Sequence, residues 1–389
     1  MLSQVDEGQA GTDERERLRR MTLAYLADQG FVIEGDRIAE LPPKNKDAIR
    51  NLHSAAVKAN RKKAAARLAV REEAFVSRLA AGDEIAVERI VPRLVQVHRK
   101  TSDADLWRWC ALHWTVPVSN GYGRRLRFLV LDEAHDNKVM GVIGLADPVF
   151  AMRARDEWVG WTADERKARL TNVMDAFVLG AVPPYSNLIG GKLVALLAAC
   201  DEVRSIFHSR YGHRKTIIAE RDPDARLLMV TTTSAFGRSS VYNRLTGPDR
   251  RLAWIPLGYT SGSGDFHFPV ELYDELAQFA ERHCTPKMRN RRWGGSGFRN
   301  RREILQEALT ELGLPSRSLL MHGVRRQVFA APLAHNTLEI LRGEQERPTW
   351  RHRDVAKIGQ YWVRRWATKR ADSDPSYKDF DPSSWMIWP

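Results

Sequence analysis

The segment that most constrains the fold is residues 176–199, which carry strand, loop and helix signals in succession. The apolar run 176–182 predicts a buried strand that ends at Pro183-Pro184. After a short polar loop, Gly190-Gly191-Lys192 begins an apolar run at helical spacing. The first turn of a helix has free backbone N–H groups and the positive end of the helix dipole, which suit a phosphate or another anion. An ordinary strand–loop–helix connection has the same pattern, so a purely structural role stays open.

Charge points to a polyanionic partner. The chain has 389 residues, enough for two or three domains, and a formal charge of +13 from 61 basic and 48 acidic residues. This excess favours nucleic acid over an anionic membrane. There is no signal-peptide pattern and no apolar run long enough to span a membrane, so we expect a soluble cytoplasmic protein.

Metal and disulfide chemistry are not indicated. Cys110, Cys200 and Cys284 are far apart and form no CxxC motif, as expected for ordinary residues of a reducing compartment. His208 and His213 flank Tyr211 without a cysteine or carboxylate at ligand spacing. No metal site is therefore predicted.

The N-terminal part, residues 15–114, is predicted to be a basic helical region that follows a disordered start at residues 1–14. Residues 44–79 have one long helical pattern, and between Lys44 and Arg71 nine basic residues face one acid, Asp47. Such a stripe neutralises phosphates without reading sequence, although a solvated helix face would have the same composition. The predicted nucleic-acid contacts here are Lys58, Arg61, Lys62, Lys63 and Arg67.

The C-terminal part, residues 269–389, is predicted to be a second basic helical region. Residues 287–302 contain seven basic residues, no acid, and two aromatics among glycines, which fits a loop that binds phosphates and stacks on unpaired bases. A flexible solvated loop is the alternative. A last basic helix is predicted at 354–369, and the apolar tail 385–388 should pack on the protein body. The predicted contacts are Lys287, Arg289, Arg291, Arg292, Trp293, Arg299, Arg301, Arg302, Arg364 and Arg365.

The central part, residues 115–268, shows a mixed α/β pattern. Residues 126–132 and 139–145 read as a hairpin around Asp136-Asn137, and Thr162 with Glu165 forms a capping box. Strands are also predicted at 216–219, 227–233 and 254–260, a helix at 200–211 and a short helix at 236–245.

Several segments resemble the DruA family, which is named for a component of the Druantia anti-phage systems. The similarity is carried by RDEWVGW at 155–161, TTTS at 231–234, GRSSVYNRL at 237–245 and GYTSG at 258–262. It implies a defence protein that acts on DNA and works with other proteins of its system.

The order of elements in the central part is similar to the GNAT acyltransferase fold, a mixed central sheet. In that family the loop after the fourth strand holds the pyrophosphate of acetyl-CoA, and a tyrosine after the fifth strand is the general acid. The similarity implies that acetyl-CoA or a related nucleotide-bearing ligand binds at Tyr185, Asn187, Gly190, Gly191 and Lys192. It places Tyr242 as the proton donor, a role for which a phenol is chemically suited, unless the ring only packs under the sheet.

Ser239 and Ser240 are further candidates because their hydroxyls and amides could face a phosphate, although the segment has no nucleophile elbow or P-loop. Three functions stay open at this point. The first is a defence protein that binds nucleic acid, DNA favoured, and modifies or processes it. The second is a non-catalytic DNA-binding adaptor, and the third is an acyltransferase with another substrate.

Overall fold

The computed structural model describes residues 3–40, 45–118, 123–213, 225–286 and 301–388. The chain forms two compact units. One consists of Met1–Asn60, Thr115–Pro117 and Ser261–Arg325. The other consists of Arg61–Trp114, Val118–Thr260 and Arg326–Pro389.

The strands, in chain order, are β1 (Val32–Glu34), β2 (Arg37–Glu40), β3 (Pro92–Gln96), β4 (Arg125–Asp132), β5 (Lys138–Ala146), β6 (Val173–Ala181), β7 (Met229–Thr233), β8 (Ile255–Tyr259) and β9 (Gln327–Pro332). The α-helices are α1 (Ser3–Asp28), α2 (Lys46–Leu68), α3 (Glu72–Val76), α4 (Ser102–Ala111), α5 (Arg153–Val159), α6 (Ala163–Arg169), α7 (Gly190–Leu197), α8 (Asp201–Tyr211), α9 (Val270–His283), α10 (Arg301–Glu311), α11 (Ser316–Leu319), α12 (Thr337–Arg342), α13 (Val355–Trp362) and α14 (Thr368–Ser373). A π-helical turn, Val363–Ala367, joins α13 to α14.

A seven-stranded sheet of order β3-β4-β5-β6-β7-β9-β8 forms the centre of the larger unit. Neighbouring strands run antiparallel except β6 and β7, which are parallel. Their pairing covers Val173↔Met229 to Asp175↔Thr231, whereas β6 continues to Ala181. The predicted mixed α/β class is confirmed.

Apolar side chains cover both faces of this sheet, because successive residues of a strand point to opposite sides. On one side, α7, α8 and Trp362 of α13 pack against β4 to β7. On the other side, Trp107 and Trp109 of α4 lie in a cluster to which the C-terminal Trp385 and Trp388 add. The prediction that the apolar tail packs on the protein body is therefore confirmed.

Local signals placed several elements correctly. The Asp136-Asn137 turn has both residues at positive φ, as a tight hairpin between β4 and β5 requires. Thr162 accepts the Glu165 N–H, and the Glu165 carboxylate accepts the Thr162 N–H, so the capping box is present at α6.

The long helix predicted at 44–79 is interrupted. α2 ends at Leu68, a 3₁₀ turn covers Ala69–Arg71, and α3 begins at Glu72. The buried Glu72 carboxylate accepts Trp109 Nε1–H at 2.7 Å and the backbone N–H groups of Ile387 and Trp388 at 2.7 and 2.9 Å. These long-range bonds fix the chain where the sequence pattern alone would continue one helix.

The short helix predicted at 236–245 is wrong, because these residues form bends and turns. Gly237 and Arg244 adopt left-handed backbone conformations near the two ends of the segment. Between them, Ser239 Oγ accepts the N–H groups of Val241 and Tyr242 at 3.1 and 3.3 Å. Such side-chain bonds offer the backbone an alternative to helix.

Two other predictions fall at the limits of the described chain. α1 begins at Ser3 and so includes most of the start that was expected to be disordered. The predicted strand 216–219 lies outside the described residues.

Candidate ligand site at the start of α7

The connection from β6 to α7 is a compact loop closed by its own backbone. Ser186 N–H donates to Val182 O at 2.8 Å, and Gly190 N–H donates to Tyr185 O at 2.9 Å. Gly190 permits this close approach, since a Cβ there would lie 2.5 Å from Tyr185 O. The residue before it, Ile189, has φ +63°, a left-handed conformation that costs a β-branched residue about 1–3 kcal/mol.

The first turn of α7 has fewer free N–H groups than the sequence pattern implies. Gly190 N–H is bonded to Tyr185, and Lys192 N–H donates to Ile189 O at 3.1 Å. Of the N–H groups of residues 190–192, that of Gly191 has no acceptor among the described residues. A Cβ at Gly191 would meet only Val241 Cγ2, at 3.8 Å. The side of Gly191 that a Cβ would occupy therefore lies beside open space.

That space is a cleft of about 680 Å³ in front of the helix start. Its lining combines the end of β6 with the β6–α7 loop, the turn after β7 and the C-terminal helical segment. The residues are Ala181, Ser186, Asn187, Ile189, Gly191, Lys192, Ser240, Val241, Arg370 and Ser376.

An indole ring and a second cation lie beside Lys192, one of the residues that line this cleft. Lys192 Nζ lies 4.8 Å from the ring centroid of Trp366, and Arg365 Cζ lies 5.4 Å from the same centroid. Partial burial, and then the neighbouring Arg365, lower the pKa of Lys192. Arg370 donates from Nε to Asn187 O at 3.3 Å and forms an ion pair with Asp374 at 2.6 Å. The site is thus more basic than acidic.

Trp366 and Arg370 were not among the sequence candidates for this site. Trp366 lies in the π-helical turn, a type of distortion that is frequent at functional sites. Trp362 Nε1–H donates to Ile189 O at 3.2 Å, which attaches the C-terminal segment to the β6–α7 loop. The spacing of Trp362, Trp366 and Arg370, four residues apart each time, is a helical stripe that could have indicated a shared face.

Tyr242 lies next to the lining residues Ser240 and Val241, but it is not part of the described lining. Its ring centroid lies 5.4 Å from that of Trp254 and 5.2 Å from that of Phe329. Burial raises the pKa of Tyr242 to about 12, against the opposing effect of a hydrogen bond with Thr232. The phenol is therefore both packed and hydrogen-bonded.

The charge of a carboxylate, Asp175, also raises the pKa of Tyr242. Asp175, at the end of the β6–β7 pairing, accepts a 2.8 Å hydrogen bond from Thr231 Oγ1. Burial raises the pKa of Asp175 to about 6, although Thr231 and the charge of Arg155 act in the opposite direction. A carboxyl group that titrates near neutrality is suited to proton transfer.

Two of the other candidates, Tyr185 and Ser239, have structural partners. Tyr185 is fully buried and donates its hydroxyl to Asp132 Oδ2 at 2.9 Å, so it does not face the cleft. Ser239 Oγ holds the turn that carries Tyr242. Ser240 is exposed and lines the cleft.

The predicted nucleic-acid residues differ in their surroundings. Lys58, Lys62 and Lys63 of α2 are exposed, whereas Arg67 binds the Asp105 carboxylate at 2.8 Å and Arg61 Nε donates to Leu112 O at 3.1 Å.

Arg364 is exposed and bonds Gln360 O, Arg301 pairs with Asp265 at 3.1 Å, and Arg302 is exposed. Residues 287–300, which hold Lys287, Arg289, Arg291, Arg292, Trp293 and Arg299, lie outside the described residues.

Within the described part of the chain, no helix combines the length and apolar character needed to cross a membrane.

Comparisons with known proteins identify the family. The family model described as Druantia protein DruA matches residues 43–343. The Druantia protein DruA of Escherichia coli (strain UMEA 4076-1) is 38% identical over 367 residues, which cover 93% of this chain and 89% of that protein. No solved structure matches the chain. The match over most of its length shows that this chain belongs to the DruA family of anti-phage defence proteins.

Proposed function

We propose that this protein serves in anti-phage defence by binding nucleic acid, with DNA as the favoured partner, together with other proteins of a Druantia system. The carrying observation is Lys192, which lines the cleft beside α7 and lies over the ring of Trp366, next to Arg365. Lysine and arginine neutralise phosphates, and an indole can stack on a base. The net charge of +13 supports the same class of partner.

Salt dependence of DNA binding tests the proposal. Each phosphate contact that is lost should lower the slope of log affinity against log salt by about 1. We therefore expect Lys192→Gln and Arg365→Gln each to weaken binding of a fluorescent DNA duplex and to flatten this slope. The slope is measured between 50 and 200 mM salt, a range over which phosphate contacts change the affinity strongly.

The matched control is Arg153→Gln. It removes the same charge from a side chain that is 89% exposed on α5 and paired with Glu157. Slopes for Lys192→Gln and Arg365→Gln that equal the Arg153→Gln slope would exclude the cleft from DNA binding. A wild-type protein that binds no nucleic acid would refute the proposed function itself.

The second candidate is acyl transfer, with acetyl-CoA or a related nucleotide-bearing ligand at the same cleft. It is supported by position: the cleft follows β6, the fourth strand of the large sheet, where β6 extends beyond its parallel pairing with β7. Asn187, Gly191 and Lys192 would face the ligand, and Tyr242, hydrogen-bonded to Thr232, would donate the proton. The bonded N–H groups of Gly190 and Lys192 weigh against a pyrophosphate site like that of the acyltransferases.

Tyr242→Phe separates an enzyme from a non-catalytic adaptor. Phenylalanine keeps the ring contacts with Trp254 and Phe329 and removes only the hydroxyl. If Tyr242 donates a proton, the variant should lose protection from phage in a plaque assay while it keeps its melting temperature within a few degrees. Full protection by Tyr242→Phe would favour the adaptor.

A further inference from the structure

A second basic surface lies on the sheet and shares only β6 with the elements that form the cleft. We call it the arginine–aromatic patch and define it as Arg99, Arg108, Arg125, Arg127, Trp107 and Phe177. Arg125 and Arg127 alternate along β4 and therefore point to the same face of the sheet. Trp107 comes from α4 and Phe177 from β6.

Two guanidinium groups of the patch rest on two neighbouring rings. Arg127 Cζ lies 4.8 Å from the Trp107 ring centroid, and Arg125 Cζ lies 4.7 Å from that of Phe177. The two ring centroids are 6.1 Å apart. Arginine over an aromatic ring is a favourable cation–π arrangement that fixes the plane of the guanidinium.

The strand beneath the rings is shaped for this packing. Gly144 of β5 is paired with Arg127, and a Cβ on it would lie 2.7 Å from Phe177 Cζ and 2.9 Å from Trp107 Cζ2. Trp107 is also held by a 3.1 Å hydrogen bond from Nε1 to Ile143 O. The rings are thus rigid supports, and the half-buried arginines above them are set in place before any ligand arrives.

The charges of the patch repel one another. Burial, and then the neighbouring charges of Arg108, Arg125 and Arg99, together lower the pKa of Arg127 to about 10. Arg127 Nε is buried and has no hydrogen-bond partner among the described residues. A carboxylate near the patch, Asp105, lies 3.9 Å from Arg108 and is already bound by Arg67 and Arg71 at 2.8 and 2.6 Å.

One ligand class matches the fixed guanidinium planes, the exposed neighbouring arginines and the excess of positive charge. Phosphates would satisfy Arg99 and Arg108, which are exposed, and unpaired bases could stack on the guanidinium planes of Arg125 and Arg127. A base inside a duplex has no free face to offer. We infer that the arginine–aromatic patch is a binding site for single-stranded nucleic acid, an inference that rests on the proposed nucleic-acid binding and assigns part of it to β4.

Fluorescence anisotropy of the full chain with a labelled oligothymidine and with a duplex of equal length tests the patch. The variants are Arg127→Gln, at the centre, and Arg99→Gln, at an exposed position where misfolding is not expected. Arg153→Gln is the matched control of equal charge. We expect Arg127→Gln and Arg99→Gln each to lower single-strand affinity by about fivefold or more and Arg153→Gln to change it by less than about twofold.

Each outcome has a distinct meaning. If the patch variants bind the single strand as tightly as Arg153→Gln does, and wild-type binding is intact, the assignment of the patch as a binding site is overturned and the proposed function stands. If the patch variants lose affinity for the duplex and for the single strand equally, the assignment to unpaired bases is overturned. A glutamate homopolymer that competes as well as oligothymidine would show that the patch accepts any polyanion, and wild-type protein without nucleic-acid binding would refute both proposals.

Discussion

Gly190 and Gly191 are adjacent but have opposite surroundings. A Cβ on Gly190 would lie 2.5 Å from Tyr185 O and 2.9 Å from Ala181 Cβ, whereas one on Gly191 would meet a single atom at 3.8 Å. Gly190→Ala should therefore cost about 1–3 kcal/mol, since the backbone must move. Gly191→Ala should stabilise the protein by up to about 1 kcal/mol, because alanine is the better helix former. Urea unfolding of the two variants measures both effects.

The same two variants locate the ligand at residue resolution. The Gly191 side chain position faces the cleft, so Gly191→Ala should weaken any ligand whose phosphate contacts the Gly191 N–H, while it raises stability. A stabilised Gly191→Ala variant that binds every tested anion as well as wild type would mean that the ligand does not contact this amide. Equal stability of the two alanine variants would contradict the packing around Gly190.

At the residue level the sequence predicted that Lys192 lies in the first turn of a helix, but not what surrounds its neighbours. The glycine pair was recognisable, but which glycine serves packing depends on how close Tyr185 O approaches, and that distance is a property of the folded loop. Tyr185 gives a similar lesson. A tyrosine in a polar loop suggests a ligand contact, yet its hydroxyl binds the buried Asp132 on β4.

Elements with strong local signals followed the predictions. The β4–β5 hairpin and the capping box of α6 depend on residues within a few positions of one another. Elements shaped by distant contacts did not. The break between α2 and α3 coincides with Glu72, whose carboxylate binds the last residues of the chain. Residues 236–245 were predicted to form a short helix, but Ser239 Oγ accepts the N–H groups of Val241 and Tyr242, which favours a turn.

The candidate cleft shows the same division between elements. Its floor, the β6–α7 connection, could be predicted because strand, loop and helix signals follow one another. Its basic wall comes from the segment around Trp366 and Arg370, which is far away in sequence. A single sequence does not reveal which distant positions lie together in the fold. The cations of this segment could therefore be assigned to nucleic acid but not to the cleft of Lys192.

For the whole molecule, the order of elements predicted a mixed sheet, and the charge predicted a polyanionic partner. The sequence could not predict how the free energy of unfolding depends on pH, because this dependence is set by how deeply the ionisable groups are buried. His113 stacks on Trp385 with ring centroids 3.6 Å apart, and burial lowers its pKa to about 3. Burial also lowers the pKa of His267 to about 4. Asp175 is shifted the other way, to about 6.

These shifts predict an acid-sensitive protein with separable contributions. The unfolded chain takes up a proton at His113 near pH 6.5, but the folded state does not until about pH 3, so stability from this group is lost as pH falls below about 6.5. His113→Phe keeps a flat ring on Trp385 and removes the titration. Relative to wild type, its free energy of unfolding should therefore rise by about 1.4 kcal/mol for each unit by which the pH falls between pH 6 and 4.

Asp175→Asn should behave oppositely. The folded carboxyl keeps its proton to about pH 6, so the wild type loses stability as pH rises from about 4 to 6. The free energy of unfolding of the variant should therefore rise relative to wild type over that interval. Urea midpoints at pH 4, 5, 6 and 7, chosen to bracket these pKa values, distinguish the two signs. A pH profile of His113→Phe parallel to that of wild type would show that His113 is protonated in the folded state, and the stacking on Trp385 would then have to accommodate a charge.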